Sequence, residues 1–448
     1  MCSLDDFMNV HLISLGCPRN LVDSEIMLGR LLASGHTITS HESDAHCVVV
    51  NTCSFIRPAV DESIDTILEM AGWKHLSRGR RLIVAGCLPQ RYGADLAKAL
   101  PEVDVFLGTG AFDRIIEAAQ GALDGTRILL PRPDKGALSD AKAPRFPATP
   151  PHTAYLKVAE GCSGQCTYCI IPKLRGPQRS RPMEDVLSEA RRLVEAGARE
   201  LILVAQNTTA YGKDLGRGYG LEHLLAKLAA ISGSIWIRVL YGHPDYVTDG
   251  FIDTVAAHDR VCPYFDIPIQ HISEPILKRM GRRHDRQSIL ELFGRIRRRV
   301  PDAVLRTTLM VGFPGETEQD FDALLQLIET VPFDHLGAFT YSNEKDLLSN
   351  RFKDHVTEGV KQERLKRLMT RQAELCLEKN QKYVGRILKV LLEGPGPKIH
   401  GPWIGRASFQ APEIDGVVYV NQGKAEPGAW LDVRITAAHP YDLTGDMV

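Results

Sequence analysis

Ten cysteines are spread over this 448-residue sequence, and six of them sort into two sets of three. Cys162, Cys166 and Cys169 stand in "EGCSGQCTYCIIP" (160–172), with the spacing Cys-x-x-x-Cys-x-x-Cys. Soft thiolates so placed suit zinc or an iron–sulfur cluster. A structural zinc site takes four ligands, and no fourth Cys or His follows within reach. Three thiolates can instead hold three irons of a cubane cluster and leave the fourth iron open to a small molecule. The competing reading is an incomplete zinc knuckle that borrows a distant ligand. The tight spacing, with aromatic Tyr168 just before the last cysteine, favours the cluster.

Cys17, Cys53 and Cys87 form the second set, dispersed at intervals of 36 and 34 residues. Each comes just after a short apolar, β-branched run: "VHLISLG" (10–16), "CVVVNT" (47–52) and "RLIVAG" (81–86). In an open parallel sheet the carboxyl ends of the strands line one edge, and ligands bind there. Three cysteines at equivalent strand ends therefore converge in space. Buried thiols serving as small core hydrophobes are the plainer alternative, and the threefold equivalence argues for a shared metal site. Cys2, Cys47, Cys262 and Cys376 lack partner spacing and read as incidental thiols.

The elements that must position these residues follow from periodicity. Residues 1–130 alternate strand and helix, which predicts an open parallel α/β sheet. Residues 131–151 hold six prolines (131, 133, 144, 147, 150 and 151) and read as a linker. From 152 to 359 repeated βα units predict a partial or full parallel (β/α) barrel of the TIM type. Residues 360–384 are rich in strong helix formers and predict one connecting helix. Short strands between Gly- and Pro-rich turns in 385–448 predict a small antiparallel β-barrel. The fold class is thus α/β and multidomain.

Composition sets outer bounds. With 54 basic and 55 acidic residues the net charge is −1, which argues against a generic polyanion binder. No apolar run reaches 18 residues, so no membrane span is expected. The first residues carry two acids and no basic n-region, unlike a secretory signal. Unpaired cysteines in such a chain point to metal or redox chemistry in a reducing cytoplasm.

Cys-x-x-x-Cys-x-x-Cys after a first barrel strand resembles the radical S-adenosylmethionine enzymes. The whole chain resembles their methylthiotransferase branch: an N-terminal three-cysteine domain, a radical barrel and a C-terminal β-barrel of the TRAM type. Within that branch "SLGCPRNLVDSE", "NTCSFI", "GCLPQRY", "IPIQHIS", "GFPGETE" and "APEIDG" are similar to the members that modify small-subunit ribosomal protein S-twelve at an aspartate β-carbon. The sister transfer-RNA enzymes usually show Gly-Cys-Gln-x-Asn where this chain has Gly16-Cys17-Pro18-Arg19-Asn20, and Gln-Ser-Gly-Ser where it has Gln270-His271-Ile272-Ser273. Gln206-Asn207-Thr208 is closer to the sister group, and Lys345-Asp346-Leu347 replaces the usual Gly-Thr-Ala.

The resemblance implies that Cys162, Cys166 and Cys169 hold a 4Fe-4S cluster whose open iron chelates S-adenosylmethionine. It implies a second 4Fe-4S cluster on Cys17, Cys53 and Cys87, from which sulfur is delivered. The partners implied are ribosomal protein S-twelve and an electron donor such as flavodoxin or ferredoxin, with no membrane and with transfer RNA second in rank. Weaker cofactor-binding candidates are Gly312 and Gly315 in "VGFPGETE", together with Gln206 and Arg306 at or near barrel strands. An ordinary strand-to-helix turn would equally use those glycines. His271 is a candidate substrate contact, although a lone His is more often structural. "GRGYG" (216–220) lacks the βαβ context of a dinucleotide fingerprint. Residues 385–448 carry six basic and seven acidic groups, and this near-neutral balance suits a protein substrate better than transfer RNA. A non-catalytic protein that stores or senses clusters is disfavoured, because a pure electron carrier normally uses closed four-cysteine sites.

Overall fold

The computed structural model describes residues 7–123, 125–216, 218–397, 403–421 and 423–448. Cys2, Lys398 and the Arg217 of "GRGYG" lie outside the described residues.

The first sheet holds β1 (Asn9–Ser14), β2 (Thr37–Ile38), β3 (Cys47–Thr52), β4 (Arg81–Gly86), β5 (Val105–Gly108) and β6 (Ile128–Leu129). Their order is β2-β1-β3-β4-β5-β6, and every neighbouring pair is parallel. Helices α1 (Pro18–Ala33), α2 (Arg57–His75), α3 (Cys87–Ala99) and α4 (Ile115–Gln120) connect the strands. β3 is buried along its whole length, as a strand covered by helices on both faces must be, and its valines satisfy that demand. β1, β3 and β4 are adjacent, so the segments that follow them emerge side by side at one sheet edge.

No helix or strand interrupts the chain between β6 and β7 (Thr153–Lys157). This proline-rich stretch is nevertheless pinned. Arg145 donates to Glu25 on α1 and to the Tyr155 carbonyl, and a Cβ on Gly29 would strike the Pro144 carbonyl at 2.4 Å.

After β7 come the short pair β8 (Ala159–Glu160) and β9 (Arg179–Ser180), then β10 (Glu200–Val204), β11 (Trp236–Val239), β12 (Tyr264–Asp266), β13 (Val304–Val311) and β14 (His335–Thr340). Helices α5 (Ile171–Arg175), α6 (Met183–Glu195), α7 (Leu221–Ala229), α8 (Asp249–Ala257), α9 (Glu274–Arg279), α10 (Arg286–Arg299) and α11 (Glu318–Thr330) intervene. The barrel is partial. Its strands form two parallel three-stranded sheets, β7-β10-β11 and β12-β13-β14, joined by the single bridge Ile237–Val261.

α12 (Glu358–Asn380) leads to a closed five-stranded barrel of β15 (Ile387–Pro395), β16 (Trp403–Ala407), β17 (Val418–Val420), β18 (Trp430–Ala438) and β19 (Leu443–Met447). One of its pairs, β17 with β19, is parallel, which departs from the all-antiparallel expectation. Closure explains it: β18 intervenes in sequence, so β19 returns along β17 in the same direction.

This small barrel stands on the amino ends of the large barrel's strands. Arg406 bonds Glu200 at the start of β10, and Trp430 meets Trp236 at the start of β11 with ring centres 4.5 Å apart. Asp415 accepts from the Tyr264 hydroxyl at the start of β12, and the Phe409 carbonyl meets His335 at the start of β14. The carboxyl ends, where the Cys162–Cys169 loop lies, are at the opposite mouth. Among the described residues no helix is long and apolar enough to cross a membrane.

Candidate active site between two cysteine triplets

Cys17 is the N-cap of α1, with Pro18 at the first helical position. Proline suits that place because its missing N–H has no helical partner there. Cys53 follows β3, and Cys87 opens α3 directly after Gly86. Two glycines make the convergence possible. Gly16 has φ +91°, and a Cβ there would lie 2.7 Å from the Cβ of Cys53. Gly86 has φ +96°, and a Cβ there would lie 2.4 Å from Asn51 Oδ1. Side chains at either position would be strained and would push into the cysteine cradle.

The second triplet is carried on a loop clamped from two sides. Cys162 N–H donates to the Gly176 carbonyl at 3.0 Å, a closeness that only Gly161 permits, since its Cβ would meet three carbonyl oxygens within 2.8 Å. Thr167 N–H reaches the Met280 carbonyl, and its hydroxyl reaches that of Arg279. Tyr168 packs edge-on to Phe313, and its hydroxyl accepts from Arg282 at 2.8 and 3.1 Å.

α5 lies between the second triplet and Cys87 of the first. This five-residue helix begins two residues after Cys169 and ends at Arg175; at 1.5 Å per residue it is only about 7.5 Å long. Cys87 packs with Ile170, Leu174 and Leu347 in one small apolar cluster. Arg175 points back at the first triplet: its Nη2 lies 3.6 Å from Cys87 Sγ, and it also bonds Asn20, Asp23 and Glu160. Lys157 bonds both Asp23 and Glu160. Arg19 donates to Cys17 Sγ at 3.3 Å and to the Ala205 carbonyl past β10, and it stacks on Tyr241 at 4.2 Å. Burial raises the Cys17 thiol's pKa, but Arg19 and Arg175 outweigh it and bring the thiol below its ordinary value. Burial pushes Cys53 up to about 11 and Cys169 up to about 12, and raises Cys87 and Cys162. Glu160 is opposed by burial, yet Arg175 and Lys157 hold it ionised well below the usual carboxylate range.

Neither triplet suits a single metal ion. Zinc–sulfur bonds of 2.3 Å in a tetrahedron put sulfurs about 3.8 Å apart. Among the described residues the one set of three ligand groups whose donor atoms all lie within 4.8 Å of one another is His243, Asp245 and His284. The thiols of each triplet are close enough to raise one another's pKa but too spread for one ion. That spread, with three soft donors and basic groups alongside, fits a polynuclear iron–sulfur cluster.

The other candidates are placed as follows. Gln206 donates to Glu160 and so belongs to the charged network between the domains. Arg306 spans Asp266 at 2.9 Å and Asp415 of the C-terminal barrel at 3.4 Å, which commits its guanidinium to ion pairs inside the barrel. A Cβ on Gly312 would meet the Lys361 side chain of α12, and one on Gly315 would meet Arg279 and Asp354; both glycines serve packing in this geometry. His271 is fully buried, 3.4 Å from Glu316. Asn207 accepts from the Thr209 hydroxyl. Cys47, Cys262 and Cys376 are buried singly. Sequence reasoning missed Arg19, Asp23, Lys157, Glu160, Arg175 and Arg282. The available signal was a run of basic residues flanking the cysteine motifs, at Arg19, Lys173 and Arg175.

A cavity of about 800 Å³ opens beside the second triplet, lined by Cys162, Cys166, Lys213, His243, Arg282 and His284 among others. Burial, then the Arg282 charge, hold the His243 imidazole neutral, well below its ordinary value.

Three family models match separate stretches of the chain. Residues 9–108 match an uncharacterized protein family, UPF0004; residues 156–328 match the radical SAM superfamily; residues 384–448 match the TRAM domain. In solved structures, the radical S-adenosylmethionine methyltransferase TsrM from Kitasatospora setae superposes with a TM-score of 0.56 at 12% identity, covering 75% of this chain and 73% of that one. The cobalamin-dependent S-adenosylmethionine radical enzyme OxsB superposes with a TM-score of 0.51 at 12% identity, covering 81% and 56%. These two likenesses concern the fold. Ribosomal protein uS12 methylthiotransferase RimO of Geobacter sulfurreducens is 49% identical over 98% of both chains. That of Desulfosudis oleivorans is 51% identical over 98% of this chain and all of its own. Identity of that order along the full length, together with the radical SAM and TRAM matches, establishes that the chain belongs to the RimO family of radical S-adenosylmethionine methylthiotransferases.

Proposed function

We propose that this protein transfers a methylthio group to ribosomal protein uS12, at the β-carbon of an aspartate, using two 4Fe-4S clusters and S-adenosylmethionine. The observation that supports this reading is the single five-residue helix that begins beside Cys169 of one cysteine triplet and packs on Cys87 of the other. When bound, the clusters and S-adenosylmethionine supply sulfonium cleavage, hydrogen abstraction from an unactivated C–H bond and the transferred sulfur. Cys162, Cys166 and Cys169 would hold the first of these groups, and Cys17, Cys53 and Cys87 the second.

The chain's own residues do the rest. Arg19 and Arg175 place positive charge against the thiolates of Cys17 and Cys87, which offsets the cost of gathering anionic sulfur in a buried place. Asp23, Lys157, Glu160 and Gln206 lock the N-terminal domain to the barrel, so the distance between triplets is held fixed. The aromatic wall of Phe313, Tyr341 and Phe352 behind Tyr168 excludes water from the loop's rear. The half-buried Cys162 and Cys166 line the open cavity, an approach for a one-electron donor of the flavodoxin or ferredoxin class.

The test is mass spectrometry of uS12 and of transfer RNA from a strain lacking the gene, with and without complementation. Loss of a methylthio mass from uS12 alone supports the reading. Loss from transfer RNA alone refutes it in favour of the transfer-RNA activity.

A further inference from the structure

We propose that His243, Asp245 and His284 form a binding site for a divalent transition-metal ion, distinct from both cysteine triplets, with an open coordination position facing the 800 Å³ cavity.

The three ligands come from two loops at the barrel mouth. His243 and Asp245 belong to the turn after β11, and His284 immediately precedes Asp285, the N-cap of α10. His284 Nδ1 is 2.7 Å from Asp245 Oδ1, and His243 Nδ1 is 3.9 Å from Asp245 Oδ2. Bonds of 2.0–2.1 Å in a tetrahedron separate nitrogen and oxygen ligands by about 3.3 Å, a value those two distances bracket. The imidazoles stand 5.8 Å apart, steeply inclined. Two histidines and one carboxylate are a common donor set for zinc and for non-haem ferrous iron.

The His284 side chain is only 4% exposed, so its Nδ1 is held beside Asp245 and shielded from bulk water. Three of the nearby cations have partners of their own. Arg282 is drawn to the Tyr168 hydroxyl, Lys213 lies 4.2 Å over the Tyr246 ring, and Arg295 pairs with Asp249. The ion would displace the proton shared by Asp245 and His284, which leaves to solvent. His243 and Asp245 are the more open ligands, at 19% and 25% exposure, so the remaining position faces the cavity. It would take water or an oxygen donor such as a carboxylate.

The experiment uses reconstituted holoenzyme with its full iron content, loaded with zinc ion and desalted. Wild type is expected to retain about one zinc per chain. Its zinc X-ray absorption should show nitrogen and oxygen neighbours near 2.0–2.1 Å and no sulfur at 2.3 Å. His284→Gln and Asp245→Asn, each with unchanged iron content and thermal unfolding, should bind zinc more weakly by at least the roughly 10–100-fold that loss of a mere supporting partner costs. A sulfur shell, no retained zinc in the wild type, or equal zinc in wild type and both variants overturns the proposal. The absorption spectrum of the wild type decides the matter even if the variants fail to fold.

Discussion

Replacing Arg175 with Met tests the charged joint between the domains. In the wild type two cations, Lys157 and Arg175, face two anions, Asp23 and Glu160, and all four side chains are at most 6% exposed. The set is neutral. Arg175→Met leaves one buried net negative charge and also removes the contacts to Asn20 and Cys87. Breaking a buried pair by deleting one partner costs about 3–5 kcal/mol. For a cooperative unit of 150–250 residues that lowers the unfolding midpoint by about 6–20 °C. Asp23→Asn alone leaves the opposite imbalance and should cost a similar amount. The double variant restores neutrality through Lys157 and Glu160. It should therefore lose about 1–3 kcal/mol less than the sum of the single losses. The assay is thermal unfolding of the reconstituted enzyme across this double-mutant cycle. Losses that add to within about 0.5 kcal/mol would refute the charge-balance reasoning.

Three further outcomes are expected. Cys162→Ala should abolish S-adenosylmethionine cleavage while Cys17→Ala spares it and abolishes methylthio transfer; methylthio product from Cys17→Ala would remove the sulfur-delivery role from the first triplet. Gly86→Ala, at φ +96° with its Cβ 2.4 Å from Asn51 Oδ1, should cost more than about 1–3 kcal/mol and lower iron retention, as read by unfolding and iron assay. Burial opposes the Glu200 carboxylate, but Arg406 and Arg238 hold it below its ordinary value of 4.5. Because the folded value is the lower one, its stabilisation is complete above about pH 4.5 and fades as pH falls through the folded value. Glu200→Gln should accordingly destabilise the enzyme at pH 7 and flatten the acid dependence of its unfolding midpoint; an unchanged profile would show that the buried trio does not hold the C-terminal barrel in place.

The parts of the fold visible in the sequence were those with local signals. β3 is six residues of β-branched and small polar character, and α12 is a run of helix formers; both declare themselves by period and propensity. The dispersed triplet was visible because strand ends in a parallel sheet are geometrically equivalent. The charged joint was not. Asp23 and Arg175 are 152 positions apart, and nothing in the amphipathic pattern of α1 distinguishes a buried Asp from a solvated one. α5 was hidden for another reason: five residues carry too few periods to register, and its sequence merges with the cysteine motif. Lys345-Asp346-Leu347, read as a departure in the family pattern, proves to be a fastening. Asp346 accepts from Arg91 of the N-terminal domain at 2.9 Å, and its carbonyl accepts from Lys173. A lone sequence shows the substitution but not the arginine that answers it.

The C-terminal barrel covers the starts of β10, β11, β12 and β14, and this stops up one end of the large barrel. The cavity lined by Cys162 and Cys166 lies at the other end. A macromolecule seated over that cavity would cover the route of the small reagents, which would place their loading before its arrival.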